Sequence, residues 1–230
     1  MNPAPRHGSS LYCAAAPNFN AVRFLLLSIL SLVLSAAPAA AETRDAPVIL
    51  ALGDSLTAGY GLTPEQSFPA QLETALTQKG IAARVLNGGV SGDTSAGGLS
   101  RLDWLLGEKP DLVIVELGAN DGLRGLDPAA TRGNLDRIAM RIRESGAHIL
   151  LTGMRAPPNL GSEYGAAFAA LYRDIAEKHG AAYYPFFLEG VAADPALNQE
   201  DGIHPTAEGI AVIVENILPV VTGALAEAER

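Results

Sequence analysis

Short apolar runs and amphipathic stretches alternate along most of the chain. Val48–Leu52, Ala83–Leu86, Asp111–Leu117, His148–Thr152 and Ala181–Phe186 are the apolar runs, and each closes on or contains Gly or Pro punctuation. That pattern predicts five short strands. The segments between them follow a helical period. Phe68–Lys79 sets Leu72, Ala75, Leu76 and Lys79 on one side and stops at Gly80. Thr94–Leu106 does the same with Leu99, Leu102 and Leu106. Asp127-Pro128 reads as an N-cap with proline at the first helical position, followed by Leu135, Ile138 and Ile142 at i, i+3, i+7. Tyr164–His179 ends at Gly180, and Pro205–Glu227 is the last helix, with a bend expected at Pro219. Strands alternating with helices predict an α/β fold, a mostly parallel sheet covered on both faces. In such sheets sites form at the carboxyl ends of the strands.

One apolar run does not fit that alternation. Phe24–Leu34 is uncharged, follows Arg6, His7 and Arg23, and leads to Pro38-Ala39-Ala40-Ala41. A positive segment, an apolar core and a small-residue end are the order of a secretory signal peptide, with a cut expected after Ala41. A strongly apolar stretch of eleven residues is short of the roughly 20 that a spanning helix needs. The expected division is therefore 1–41 leader and 42–230 a single domain, exported to the periplasm or secreted, with no stable membrane anchor after cleavage. A monomer is expected. Removing 1–41 removes two arginines, no acid, and the only cysteine, Cys13, and takes the formal charge from −9 to −11. So acidic a chain has no electrostatic reason to bind nucleic acid. Without cysteine it can hold neither a disulfide framework nor a zinc–thiolate cluster.

The loops after the expected strands carry the chemistry. They read Gly53-Asp54-Ser55-Leu56, Asn87-Gly88-Gly89-Val90-Ser91-Gly92-Asp93, Gly118-Ala119-Asn120-Asp121 and, after the fifth strand, Asp201-Gly202-Ile203-His204-Pro205. A serine hydroxyl becomes a nucleophile when a base takes its proton, and histidine is the natural base near neutral pH. A carboxylate on the other ring nitrogen fixes the tautomer. Ser55, His204 and Asp201, three before the histidine, supply such a set. The backbone N–H groups of Ser55 and Gly92 and the amide of Asn120 can supply donors for an oxyanion.

These residues carry a resemblance. Gly53-Asp54-Ser55-Leu56 resembles the first block of the GDSL, or SGNH, hydrolases, and Ser55, Gly92, Asn120 and His204 fall in the order that names the SGNH group. LGDSLTAGYG, SGDTSAGG, VELGANDGLRG and DGIHP most resemble its bacterial periplasmic thioesterase I/lysophospholipase and arylesterase branch. The resemblance implies a three-layer α/β/α sandwich on a five-stranded parallel sheet, flavodoxin-like in order. It implies Ser55 as nucleophile, His204 as base, Asp201 as orienting acid, and Ser55, Gly92 and Asn120 as the oxyanion hole. The implied activity is hydrolysis of small-molecule acyl esters or thioesters, lysophospholipids among them, with no cofactor and no metal.

Each residue has a plainer role beside this one. Ser55 can cap a helix, Gly92 can serve a turn, Asn120 can close an Asx-turn, and Asp201 can cap the final helix, with Glu200 as a neighbouring acid. His148 opens a strand, and His179 ends a helix where a cation favours the dipole. Asp54, Asp93 and Asp121 read as turn and cap residues. Leu123-Arg124-Gly125 and Arg155–Tyr164 are expected to rim the pocket. Two rival functions use the same loops: an O-acetyl esterase of carbohydrates or cell-wall polymers, and a non-catalytic phosphate- or nucleotide-binding module. The loops carry no GxxxxGK[ST], no GxGxxG and no lysine in support of the second.

Overall fold

Five strands, all parallel, build the sheet in the computed structural model, which describes Met1 and residues 46–228. They are β1 (Val48–Gly53), β2 (Arg84–Gly89), β3 (Leu112–Glu116), β4 (His148–Thr152) and β5 (Ala182–Tyr184). The order is β2-β1-β3-β4-β5, the flavodoxin-like sequence expected. The leader expected over 1–41, Met1 aside, lies outside the described residues.

Seven α-helices are described: α1 (Ser55–Ala58), α2 (Phe68–Gln78), α3 (Ser95–Leu106), α4 (Ala119–Leu123), α5 (Pro128–Glu144), α6 (Ser162–His179) and α7 (Ala207–Ala228). Helix α2 packs on α7 to make one layer, and α3, α5 and α6 pack in series to make the other. The central strands are buried along almost their whole length, Ile49–Leu52 in β1 and Leu112–Val115 in β3. Burial on both faces explains why these strands read as continuous apolar runs. Helix α7, with mean hydropathy 1.8 over its richest window, is a core helix: Ile210, Ile213, Ile217 and Val221 lie buried against the sheet and α2. It runs on through Pro219.

The larger departures from the sequence expectation are the extent of β2, the helix after β3 and the length of β5. Strand β2 does not stop at Asn87 but continues through Gly88 and Gly89, which pair with Leu52 and Gly53 of β1. These glycines are sites of close approach, not breaks. A Cβ on Gly88 would sit 2.8 Å from the Ala51 carbonyl, and one on Gly89 2.3 Å from the Ala58 nitrogen. The loop after β3 contains the short helix α4, entered through Gly118 at φ +112°. Strand β5 is three residues long, because after Tyr184 the chain turns at Pro185 and bonds Gly153 instead.

The order also locates the site. The chain leaves β1 for β2 on one side and returns to β3 on the other, so the segments after β1 and β3 diverge and leave a crevice between them. Ser55 follows β1 and Asn120 follows β3.

Candidate active site

The Ser55 turn is built by what surrounds Gly53. A Cβ there would lie 2.0 Å from Thr57 Oγ1 and 2.5 Å from Glu116 Oε2, so only glycine lets the strand turn directly into α1. Asp54 is fully buried and caps α1, its Oδ1 accepting from the Leu56 N–H at 3.0 Å. Below the turn, Glu116 Oε2 accepts from the Asp54 N–H at 3.2 Å and the Thr57 hydroxyl at 2.8 Å. Ser55 is the first helical residue, so its own N–H has no acceptor within the helix. It has no hydrogen-bond partner among the described residues.

Burial pushes the Glu116 carboxyl well above its usual range, and the neighbouring Asp54 charge adds to this. Burial likewise raises Asp54 to about 6, against the bonds from Leu56 and Asn120 that favour its anion. Two buried acids side by side do not both ionise readily.

The loop after β5 brings His204 to the serine. Gly202 at φ +75° turns the chain so that Asp201 folds back on it. Asp201 Oδ1 accepts from the backbone N–H groups of Ile203 and His204, each at 3.0 Å. Asp201 Oδ2 lies 2.6 Å from His204 Nδ1, and His204 Nε2 lies 2.9 Å from Ser55 Oγ. The His204 backbone and ring bonds, with that of Ile203, hold the Asp201 carboxyl down to about 2. An ionised carboxylate only accepts, so the ring hydrogen belongs on Nδ1 and the lone pair of Nε2 faces the serine. Gln199 pins the loop: its N–H donates to the His204 carbonyl at 2.7 Å, and its side chain to the Tyr60 carbonyl at 2.8 Å. The Tyr60 ring lies against the imidazole, centroids 4.5 Å apart.

Gly92 sits in a tight turn closed by Asp93 N–H to Val90 O at 3.0 Å, and its φ of +84° suits glycine. Its N–H has no hydrogen-bond partner among the described residues, and its carbonyl accepts from Arg124 at 2.9 Å. Asn120 Nδ2 donates to Asp54 Oδ2 at 3.0 Å and to the Asp93 carbonyl at 2.9 Å. A carbonyl cannot donate, so the amide is oriented with its nitrogen towards both oxygens. Ser55, Gly92, Asn120 and His204 all line one cleft of about 660 Å³.

Other expectations fare differently. Asp54 is a cap, but Asp93 and Asp121 are not the caps of their own segments. Thr94 caps α3, while Asp93 pairs with Arg101 at 2.6 Å. Asp121 is buried and accepts from the Ser95 N–H at 2.8 Å, the Ser95 hydroxyl at 2.5 Å and Thr131 at 3.0 Å. No group of three or more metal-ligating side chains occurs among the described residues. Of the expected rim, Leu123 and Arg155–Pro158 line the cleft; Arg124, Gly125 and residues 159–164 do not. His179 bonds Asp136, and His148 is exposed at the start of β4. Glu116, Tyr60 and Arg101 are additions that sequence reading missed. A lone acid ending the apolar run LVIVE was the available signal for Glu116.

The chain is similar to known proteins along most of its length. The profile of the GDSL-like Lipase/Acylhydrolase family matches residues 51–212. The chain is 46% identical over 200 residues to Esterase TesA of Pseudomonas aeruginosa, covering 86% of this chain and 97% of that protein. It is 42% identical over 192 residues to Thioesterase 1/protease 1/lysophospholipase L1 of Escherichia coli K12, covering 83% and 89%. The crystal structure of AlinE4, an SGNH-hydrolase family esterase, superposes with a TM-score of 0.67 at 52% identity, covering 79% of this chain and 97% of that one. With the four sequence blocks converging on one cleft, the chain belongs to the GDSL-like lipase/acylhydrolase family, the SGNH hydrolases.

Proposed function

We propose that Ser55 is the nucleophile, His204 the general base and acid, and Asp201 the acid that orients it. In this reading the N–H groups of Ser55 and Gly92 and the Asn120 amide receive the oxyanion. The protein is a serine hydrolase of small-molecule esters and thioesters. The observation that carries the residue roles is the unbroken line from Asp201 through the imidazole to Ser55 Oγ, at 2.6 and 2.9 Å.

The reaction follows from that line. Ser55 Oγ attacks the acyl carbon as His204 Nε2 takes its proton, and Asp201 stabilises the imidazolium. The carbonyl oxygen becomes an oxyanion between the two free backbone donors, with Asn120 sharing one of its hydrogens as charge develops. Collapse expels the alcohol or thiol with the proton from His204. Water, activated by the same ring, then releases the acid from Ser55.

Apolar side chains support an acyl chain longer than acetyl. Leu123, Met154, Pro157, Phe186, Leu188 and Ile203 line the cleft beside the serine. We read this as a medium- to long-chain acyl site, on oxygen esters, thioesters or lysophospholipids. A p-nitrophenyl ester and acyl-CoA series on purified protein tests it. Turnover rising from acetyl to longer chains is expected; activity on acetyl groups alone would transfer the assignment to an O-acetyl esterase. A fluorophosphonate should label Ser55 and no other residue. Export as a monomer belongs to the same reading. N-terminal sequencing of the secreted form should begin at Glu42, and its mass by light scattering should be that of one chain.

A further inference from the structure

One cation at this end of the sheet has no part in the reaction just described. Arg101 lies in the second turn of α3, with its side chain about one-fifth exposed. Its guanidinium spends three donors on three separate segments. Nη2 donates to the Gly53 carbonyl at the end of β1 at 2.8 Å, and Nη1 to the Gly88 carbonyl in β2 at 2.6 Å. Nε donates to Asp93 Oδ2, in the turn carrying Gly92, at 2.6 Å. We propose that Arg101 is a positioning residue that fixes the spacing of the three oxyanion donors, an inference resting on the residue roles given above.

Each donor segment is reached within one or two links. The Gly53–Asp54 peptide directly precedes that of the Ser55 N–H and is held at both ends, its oxygen by Arg101 and its N–H by Glu116. The same Gly53 oxygen accepts the Val90 N–H at 3.1 Å, tying β1 to the Gly92 turn. Asp93, next to Gly92, takes the charged bond on its carboxylate and gives its carbonyl to Asn120 Nδ2. Ser55, Gly92 and Asn120 come from three strand ends; the planar fork holds the first two segments directly and reaches Asn120 through the Asp93 carbonyl. Lysine offers a point charge on a flexible stem and cannot hold three acceptors in one plane.

The sequence makes room for the fork. Asp93 crosses the first turn of α3 over Gly97, four residues before Arg101. A Cβ on Gly97 would lie 2.5 Å from Asp93 Oδ1, so even a methyl group displaces that carboxylate. Alanine is otherwise the better helix former at such a position. Gly97→Ala therefore separates the two roles: it favours the helix while disturbing the Arg101–Asp93 contact.

Arg101→Lys, Arg101→Met and Gly97→Ala, with Ser55→Ala alongside, test the proposal by kcat, KM, labelling rate with a fluorophosphonate, and Tm. Misplacement of the donors is expected to cost Arg101→Met about 10²-fold in kcat, with KM nearly unchanged and labelling slowed in parallel. Arg101→Lys should recover only part of this. Gly97→Ala should lose kcat while its Tm holds or rises. Wild-type kcat in Arg101→Met beside an inactive Ser55→Ala would overturn the proposal alone. If Arg101 variants fail to fold and Gly97→Ala keeps wild-type kcat, Arg101 serves the fold only and the proposal also falls. Turnover surviving in Ser55→Ala would overturn the underlying residue roles, and the proposal with them.

Discussion

Two histidines in this protein each sit against an aspartate at nearly the same distance, and only one of these two faces a serine hydroxyl. His204 meets Asp201 through Nδ1 at 2.6 Å, and His179 meets Asp136 through Nε2 at 2.7 Å. The difference lies in what the second nitrogen and the carboxylate are left to do. Asp201 serves its own loop, folding back on the Ile203 and His204 N–H groups, so Nε2 is turned outward to Ser55. Asp136 is shared with Lys178 across two helices, and the His179 side chain is only 8% exposed at the end of α6. The lesson is that a His–Asp pair is a tethered ring. It becomes a base when the tether sits on the nitrogen away from the crevice and the ring stands at a strand's carboxyl end.

Breaking each pair should separate the two roles. Ser55→Ala or His204→Ala should lower kcat by roughly 10⁴-fold or more, since the two act as a unit. His179→Ala should leave kcat within about two-fold, and equal losses at both histidines would erase the distinction. Asp201→Asn should cost about 10³–10⁴-fold by favouring the wrong tautomer, whereas Asp136→Asn should cost only a Tm shift on the order of 2 °C. Asn120→Ala should lower kcat by about 10²–10³-fold with KM held, read on the same ester; a change confined to KM would assign Asn120 to substrate binding.

The smallest effect contrasts the solvated acids with the buried pair. Asp54 and Glu116 have raised folded-state values, so the folded protein keeps protons that the unfolded chain has released. Their contribution favours the fold at low pH and is lost as pH rises, for Asp54 between about 4 and 6. Asp201 and Asp136 are shifted down and act oppositely, losing their contribution only in acid. Glu116→Gln keeps an acceptor for Thr57 and removes one titration. Its Tm should fall less than the wild type's between pH 5 and 8, and parallel slopes in differential scanning fluorimetry would count against the buried-pair account.

Much of this is legible in the sequence. Strand positions followed from apolar runs, because a doubly covered parallel sheet allows little else in β1 and β3. Asp127-Pro128 marked its helix start, and Asp127 accepts the Ala129 N–H as a cap should. The site residues were legible as four blocks whose chemistry agrees. What the sequence hid was contact at a distance. Gly88 and Gly89 looked like a strand end, because nothing local reveals that β1 and α1 press against them. Nothing local marks Arg101, because its three acceptors lie 8 to 48 positions away. Glu116 sat inside an apolar run, with partners some 60 positions earlier.

The 149 positions between Ser55 and His204 have a consequence for biosynthesis. A nascent chain that has emerged only through β5 already holds Ser55 but not yet the imidazole that faces it. The loop that carries it is tied to Tyr60 through Gln199 and leads directly into α7. With the residue roles proposed above, ester cleavage therefore reports finished molecules, and a chain truncated before His204 should show none.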